Sequence, residues 1–122
     1  MSDVLVFAEE FFDAVSRGDI DAVSACYRDD VTVWHNYDDV DQTKAENLAT
    51  LGSIPDRYDE FGYTDARTVG LDDGFLRQHV IVATRDGKTA HVPAILRVYV
   101  EDRAIHRIEE YFDRGSLLAQ LS

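Results

Sequence analysis

The sequence predicts an α+β domain in which helices come first and an antiparallel β-meander comes last. Two observations predict it. Apolar residues recur at helical spacing up to Tyr27 and at strand spacing from Gly62 onward. The late strand-like stretches are joined by turns rich in Asp and Gly, the signal of hairpins. Helices and strands segregated along a chain argue for α+β rather than alternating α/β. At 122 residues the chain fits one domain, residues 1–122.

Each element has a local cause. Val4, Phe7, Ala8, Phe11, Phe12 and Val15 form a broad apolar stripe, which predicts a helix over 3–17. Gly18 suits the residue after its end. Asp19 then caps a second helix with Ile20, Val23, Cys26 and Tyr27 on its inner face. Asp29-Asp30 breaks it. Residues 31–37, Val-Thr-Val-Trp-His-Asn-Tyr, are β-branched and aromatic and predict the first strand. Thr43 and Glu46 have the spacing of a capping box, opening a third helix that Leu48 and Leu51 continue. Gly52 and Pro55 interrupt it, with room for one further turn over 56–61. Four antiparallel strands follow over 63–72, 75–85, 89–101 and 104–112.

Composition removes whole classes of function. Hydrophobic residues make up 45% and charged residues 30%, as in ordinary globular domains. The net charge of −12 repels phosphate backbones and anionic membrane surfaces, so neither nucleic acid nor membrane is an expected partner. No apolar run approaches the roughly 20 residues of a membrane span. The start, Met1-Ser2-Asp3 followed by Glu9, Glu10 and Asp13, lacks the basic-then-apolar order of a secretory leader. Cys26 is the single cysteine and forms no internal disulfide, which fits a reducing compartment. The expected location is the cytoplasm. Cys26 falls in the apolar rhythm of the second helix and reads as a buried thiol.

The same strands offer acid–base chemistry. Glu110 shares a strand face with Ile108 and Phe112, and a carboxylate between apolar neighbours is suited to proton transfer. His79 shares a face with Arg77 and Ile81 and titrates near neutrality. His35, His79, His91 and His106 have no metal-ligand spacing, so no metal site is expected. No glycine-rich phosphate loop or serine nucleophile elbow is present, and no cofactor is called for.

Three stretches carry a resemblance: Arg17-Gly18-Asp19, Tyr27-Arg28-Asp29-Asp30-Val31, and Ile108-Glu109-Glu110-Tyr111-Phe112-Asp113. With the element order they resemble the nuclear transport factor 2-like superfamily over nearly the whole chain. That group includes ketosteroid isomerases, SnoaL-like cyclases and limonene-epoxide hydrolases. Trp34-His35-Asn36-Tyr37-Asp38 and Gln78-His79-Val80 resemble its bacterial SnoaL-like members more narrowly. The resemblance implies a cone: a curved antiparallel sheet wrapped around the N-terminal helices, with a single pocket. It also implies a homodimer formed through the outer sheet face, where Arg97, Tyr99 and Tyr111 are expected.

Against the isomerases, Phe11 stands where a tyrosine donates to the oxyanion, and His35 stands in the place of the general-base aspartate. Against the epoxide hydrolases, Trp34-x-Asn36 matches a Tyr-x-Asn pair, Arg77-x-His79 an Arg-x-Asp pair, and Glu110 the last-strand acid. The two alignments differ by one residue on the first strand. Either Trp34 and Asn36 face the pocket, or Val33, His35 and Tyr37 do.

Two functions remain open. One is a cofactor-independent enzyme acting on a small hydrophobic molecule by isomerisation, cyclisation or epoxide hydrolysis. Glu110 or His79 would be the base and the other the acid, with His35 a rival proton carrier. Trp34, Asn36 and Arg77 would bind and orient the substrate. The other is a non-catalytic domain that holds a small ligand or a partner.

Overall fold

The computed structural model describes residues 3–122; the reading of Met1 and Ser2 as part of an acidic start lies outside them. Helices α1 (Asp3–Arg17) and α2 (Ile20–Cys26) lead into strand β1 (Tyr27–His35) and the short β2 (Asp41–Gln42). Helices α3 (Lys44–Gly52) and α4 (Ile54–Arg57) precede β3 (Glu60–Leu71), β4 (Gly74–Arg85), β5 (Lys88–Glu101) and β6 (Ala104–Phe112). A fifth helix, α5 (Arg114–Gln120), follows. The strands form one sheet in the order β2-β1-β6-β5-β4-β3.

The helical caps follow their sequence signals. Gly18 has φ +69°, and the Asp19 carboxylate accepts from the Ala22 N–H. Thr43 and Glu46 complete a reciprocal capping box on α3. The α1 stripe buries Phe7, Ala8, Phe11, Phe12 and Val15 against Val31, Val33, Phe75, Leu96, Val98, Ile105 and Ile108. Each such large side chain contributes about 1.5–3 kcal/mol by burial, so packing on the sheet rather than propensity holds α1.

The β-meander is antiparallel, but β1 pairs with β6 in parallel, with His35 opposite Glu110. Nothing local announces this pairing, because the partners are brought together only after three long strands have been laid down. Breaks in register lie in β3 between Thr64 and Arg67, in β5 between Tyr99 and Val100, and along β1. Such bulges bend strands and sharpen twist, which curves the sheet around the helices.

Several elements depart from expectation: the first strand ends at His35 rather than at 37, β2 was not anticipated, and the turn expected over 56–61 forms at Ile54–Arg57. The α2 helix stops at Cys26 and β1 begins at Tyr27, ahead of the Asp29-Asp30 break. Helix α5 was not anticipated, since Gly115 stands in its first turn. Asp113 caps it by accepting from the Ser116 N–H. Leu117 and Leu121, spaced i and i+4, pack with Tyr58, Ile81, Ala83, Ala90, Val92 and Ala94 in a second apolar cluster.

One glycine is fixed by space. Gly74 has φ +150°, and a Cβ there would lie 1.9 Å from the Val98 carbonyl oxygen. Backbone cannot swing away as a side chain can. Gly74→Ala is therefore expected to cost about 3 kcal/mol, the upper end of overpacking penalties, read as a lowered midpoint in chemical denaturation. An unchanged midpoint would show that the β4–β5 ladder yields there.

Candidate functional site

Alternation along the strands decides which residues can meet. Val31, Val33 and His35 of β1 are buried on the helix-covered face, as are Phe75, Arg77, His79 and Ile81 of β4. On β6 the same face carries Ile108, Glu110 and Phe112. This settles the open register in favour of His35.

His35 and Glu110 form the central pair. Nε2 of His35 lies 3.1 Å from Oε1 of Glu110, with side-chain exposures of only 9% and 17%. Both line a cavity of about 190 Å³. Its walls are mostly apolar, with Ile54, Tyr58, Phe61, Tyr63, Ile81 and Leu117 among them. Five otherwise separate segments build it: the end of β1, helices α3 and α4, the start of β3, the end of β4, and the β6–α5 corner. Nε2 is the ring nitrogen that faces the carboxylate, so Nδ1 is the nitrogen left for exchange with a ligand.

Tyr63 is the site residue that sequence reasoning missed. It lines the cavity, and burial, then the Glu110 carboxylate, push its hydroxyl well above the usual phenol range. It therefore remains a neutral donor. The available signal was Phe61-x-Tyr63, an aromatic alternation at the start of a strand. Tyr27 is held in the same protonated state by burial, but its hydroxyl is spent on Asn47 Oδ1 at 2.7 Å. Asn47 in turn donates to Gln42, which donates to Thr50 on the cavity wall.

His79 and Arg77 do come together, though away from Glu110. Arg77 donates from Nε to Nδ1 of His79 at 3.0 Å and pairs with Glu9 of α1 at 3.3 Å. Its guanidinium lies 4.1 Å from the Phe12 ring centroid. Because arginine only donates, His79 carries its proton on Nε2, and that buried atom has no hydrogen-bond partner. Burial, then the Arg77 charge, push the His79 pKa down to about 3. His79 is thus a neutral ring behind the cavity, stacked on Tyr63 at 4.2 Å. The proposed Glu110–His79 pair is corrected on topology. Arg77 faces Leu96, and Leu96 faces Glu110, whereas His79 faces Ala94 and Ala94 faces Phe112, so the backbones at His79 and Glu110 are separated by β5, two strand spacings or about 10 Å, and by a further two residues along the strand.

Trp34 and Asn36 are also corrected. Trp34 lies on the sheet face turned away from α1, and Asn36 follows the end of β1. Trp34 donates to Asp39 at 2.7 Å and meets Tyr111 edge to face. Asn36 extends the β1–β6 ladder: its N–H donates to the Glu110 carbonyl and its amide oxygen accepts from the Phe112 N–H. It positions the backbone around Glu110 rather than a ligand. A wider open groove of about 770 Å³ crosses this outer face along Asp65, Arg67, Gln78, Val80, Pro93 and Tyr111, and the strand segment that carries His79 borders it. Among the described residues, no three His, Cys, Asp or Glu side chains converge to hold a metal ion. Among the described residues, no helix is long and apolar enough to cross a membrane.

Helices closing over one curved sheet are the nuclear transport factor 2-like fold. Residues 8–108 match the model of the SnoaL-like domain, and the chain belongs to that family. No curated protein matches the sequence. Among solved structures, a candidate polyketide cyclase from Xanthomonas campestris pv. campestris is similar at TM-score 0.86 and 22% identity, over 98% of this chain and 96% of that one. A second, from Pseudomonas putida KT2440, matches at 0.86 and 19% over the whole of both chains. A protein of ketosteroid isomerase-like fold from Catenulispora acidiphila matches at 0.83 and 15%, over 95% and 93%. These likenesses establish the fold.

Proposed function

We propose that this chain is an acid–base enzyme needing no cofactor, in which the His35–Glu110 pair moves a proton on a small, mostly apolar carbonyl compound. The observation that carries the reading is the 3.1 Å contact between His35 Nε2 and Glu110 Oε1 inside an apolar-walled cavity. Nδ1 of His35 takes a proton from the carbon next to the carbonyl. The C–H bond breaks, and its electron pair moves onto the carbonyl oxygen as an enolate. Glu110 stabilises the imidazolium, and the Tyr63 hydroxyl donates to the enolate oxygen. The enolate carbon then either regains a proton at another position or attacks a second carbonyl of the same molecule. In the second case His35 returns its proton to the new alkoxide. Structural likeness to candidate polyketide cyclases favours the cyclisation branch.

Solvent exchange tests this without knowledge of the natural substrate. The protein should catalyse deuterium uptake from D2O into the activated methylene of short aryl β-keto esters, followed by NMR. No exchange across a broad carbonyl panel, together with saturable binding of the same compounds, would favour a non-catalytic binding domain instead.

The proposal extends to assembly. Tyr111 is 45% exposed on the outer face, beside Trp34 and close to Ile95, its register partner on β5. An apolar, aromatic sheet face of this kind suits a homodimer. Light scattering should give a dimer for the parent and a monomer for Tyr111→Asp; a monomeric parent would refute it.

A further inference from the structure

The charge around the cavity runs against the charge of the chain. Acidic residues outnumber basic ones 24 to 12. Among the described residues, seven basic side chains pair with carboxylates: Arg17, Arg28, Lys44, Arg77, Arg97, Arg103 and Arg107. Arg57, Arg67, Arg85, Lys88 and Arg114 make no such pair, and three of these five, Arg57, Arg85 and Arg114, line the same cavity as His35 and Glu110. They come from three elements, α4, β4 and α5, so no local sequence rule groups them. The one carboxylate in the wall, Glu110, is engaged by His35.

No carboxylate pairs with any of the three arginines, of which Arg57 and Arg114 are solvent-exposed. Arg57 donates to the Ser53 hydroxyl at 3.0 Å, the Thr50 carbonyl at 3.3 Å and the Tyr58 hydroxyl at 3.5 Å, all neutral acceptors that fix its guanidinium. Arg114 lies over the Tyr37 ring at 5.1 Å. Both arginines act on the Tyr37 hydroxyl, opposing the effect of its burial, which places them around one wall residue. Arg85 is half-buried, and its guanidinium has no hydrogen-bond or ion-pair partner. In so acidic a chain, three unneutralised guanidinium groups on one small cavity form a ready receptor for an oxyanion.

We infer that the ligand of this cavity carries an anionic group, a carboxylate or a phosphate, held by Arg57, Arg85 and Arg114 while its apolar body reaches towards His35. This deepens the acid–base reading of the same cavity and rests on it for the fate of the bound acid. The charged end would fix which carbon is presented to His35. The positive field would also favour an enolate.

Matched probes test this by binding alone. Isothermal titration of 4-phenylbutyrate, 3-phenylpropyl phosphate and the neutral 4-phenylbutyramide should show one or both anions binding tighter than the amide. Charge-assisted hydrogen bonds predict a preference of roughly 10- to 100-fold; the better anion identifies the oxyanion. Arg85→Gln loses no protein contact and should reduce that preference, and Arg85→Gln/Arg114→Gln should abolish it. Arg67→Gln, on the outer face, should leave it unchanged. Glu110→Gln should keep the preference even while proton exchange is lost, which separates this inference from the catalytic one. Equal affinity for acid and amide, a preference that survives the double variant, or no binding of either anion at millimolar concentration overturns it.

Discussion

Replacing His35 by Gln is expected to lower carbonyl α-proton exchange by roughly 10²- to 10⁴-fold, the usual contribution of a positioned general base. Glutamine keeps much of the volume and can still donate an N–H to Glu110, so the cavity wall should survive. What disappears is the Nδ1 lone pair. Glu110→Gln tests the other half of the pair. Its amide cannot carry the charge that stabilises an imidazolium 3.1 Å away. Each single variant should therefore cost nearly as much as the double, because residues that act as a unit are strongly non-additive. Tyr63→Phe should cost less, about 10- to 100-fold in kcat, as a lost oxyanion donor does at the lower end of such measurements. Kinetics of deuterium uptake at fixed probe concentration would check all four proteins. Full activity in His35→Gln would remove the pair from the mechanism, whatever the cavity binds.

How much of this was legible beforehand depended on the range of the interaction. Gly18, Asp19 and the Thr43–Glu46 box act within a few residues, and each did in the fold what its chemistry requires. The α1 stripe likewise carries its own periodicity. The site is a different matter. Glu110 was identifiable as a carboxylate among apolar neighbours on its strand. Its partner was not, because strand alternation alone leaves either face of β1 inward. The choice is made by pairing between His35 and Glu110, 75 positions apart in the chain, in parallel strands. Arg77 and His79 read as same-face neighbours and are hydrogen-bonded. The interposed β5 strand, invisible to spacing arguments, keeps them from Glu110. The arginines at the cavity had no sequence signature at all, since a charge without a partner is defined only by tertiary neighbours.

His79 gives the largest effect on stability, and its sign follows from linkage. In the unfolded chain a histidine titrates at its ordinary value, near 6.5. In the folded protein burial and Arg77 hold it down to about 3. A proton is therefore bound by the unfolded state alone throughout that window, so stability rises with pH across it. The contribution is fully present above pH 6.5 and is progressively lost as the pH falls towards 3. The span is about 3.5 pH units, which corresponds to roughly 5 kcal/mol at the limit. Phe12 and Tyr63 pack on the ring, and the Arg77 guanidinium touches it. An imidazolium there would be buried against a like charge. His79→Gln removes the titration while keeping an acceptor for Arg77. Its absolute stability at neutral pH can be lower, because a flexible amide replaces a packed ring. Its stability should nevertheless fall less steeply between pH 6.5 and 4 than that of the parent, as measured by urea unfolding at a series of pH values. Parallel curves for the two proteins would mean that the histidine gains its proton in the folded state as readily as in the unfolded one. In that case the neutral ring deduced from Arg77 would be wrong, and His79 would return as an acid available to Tyr63.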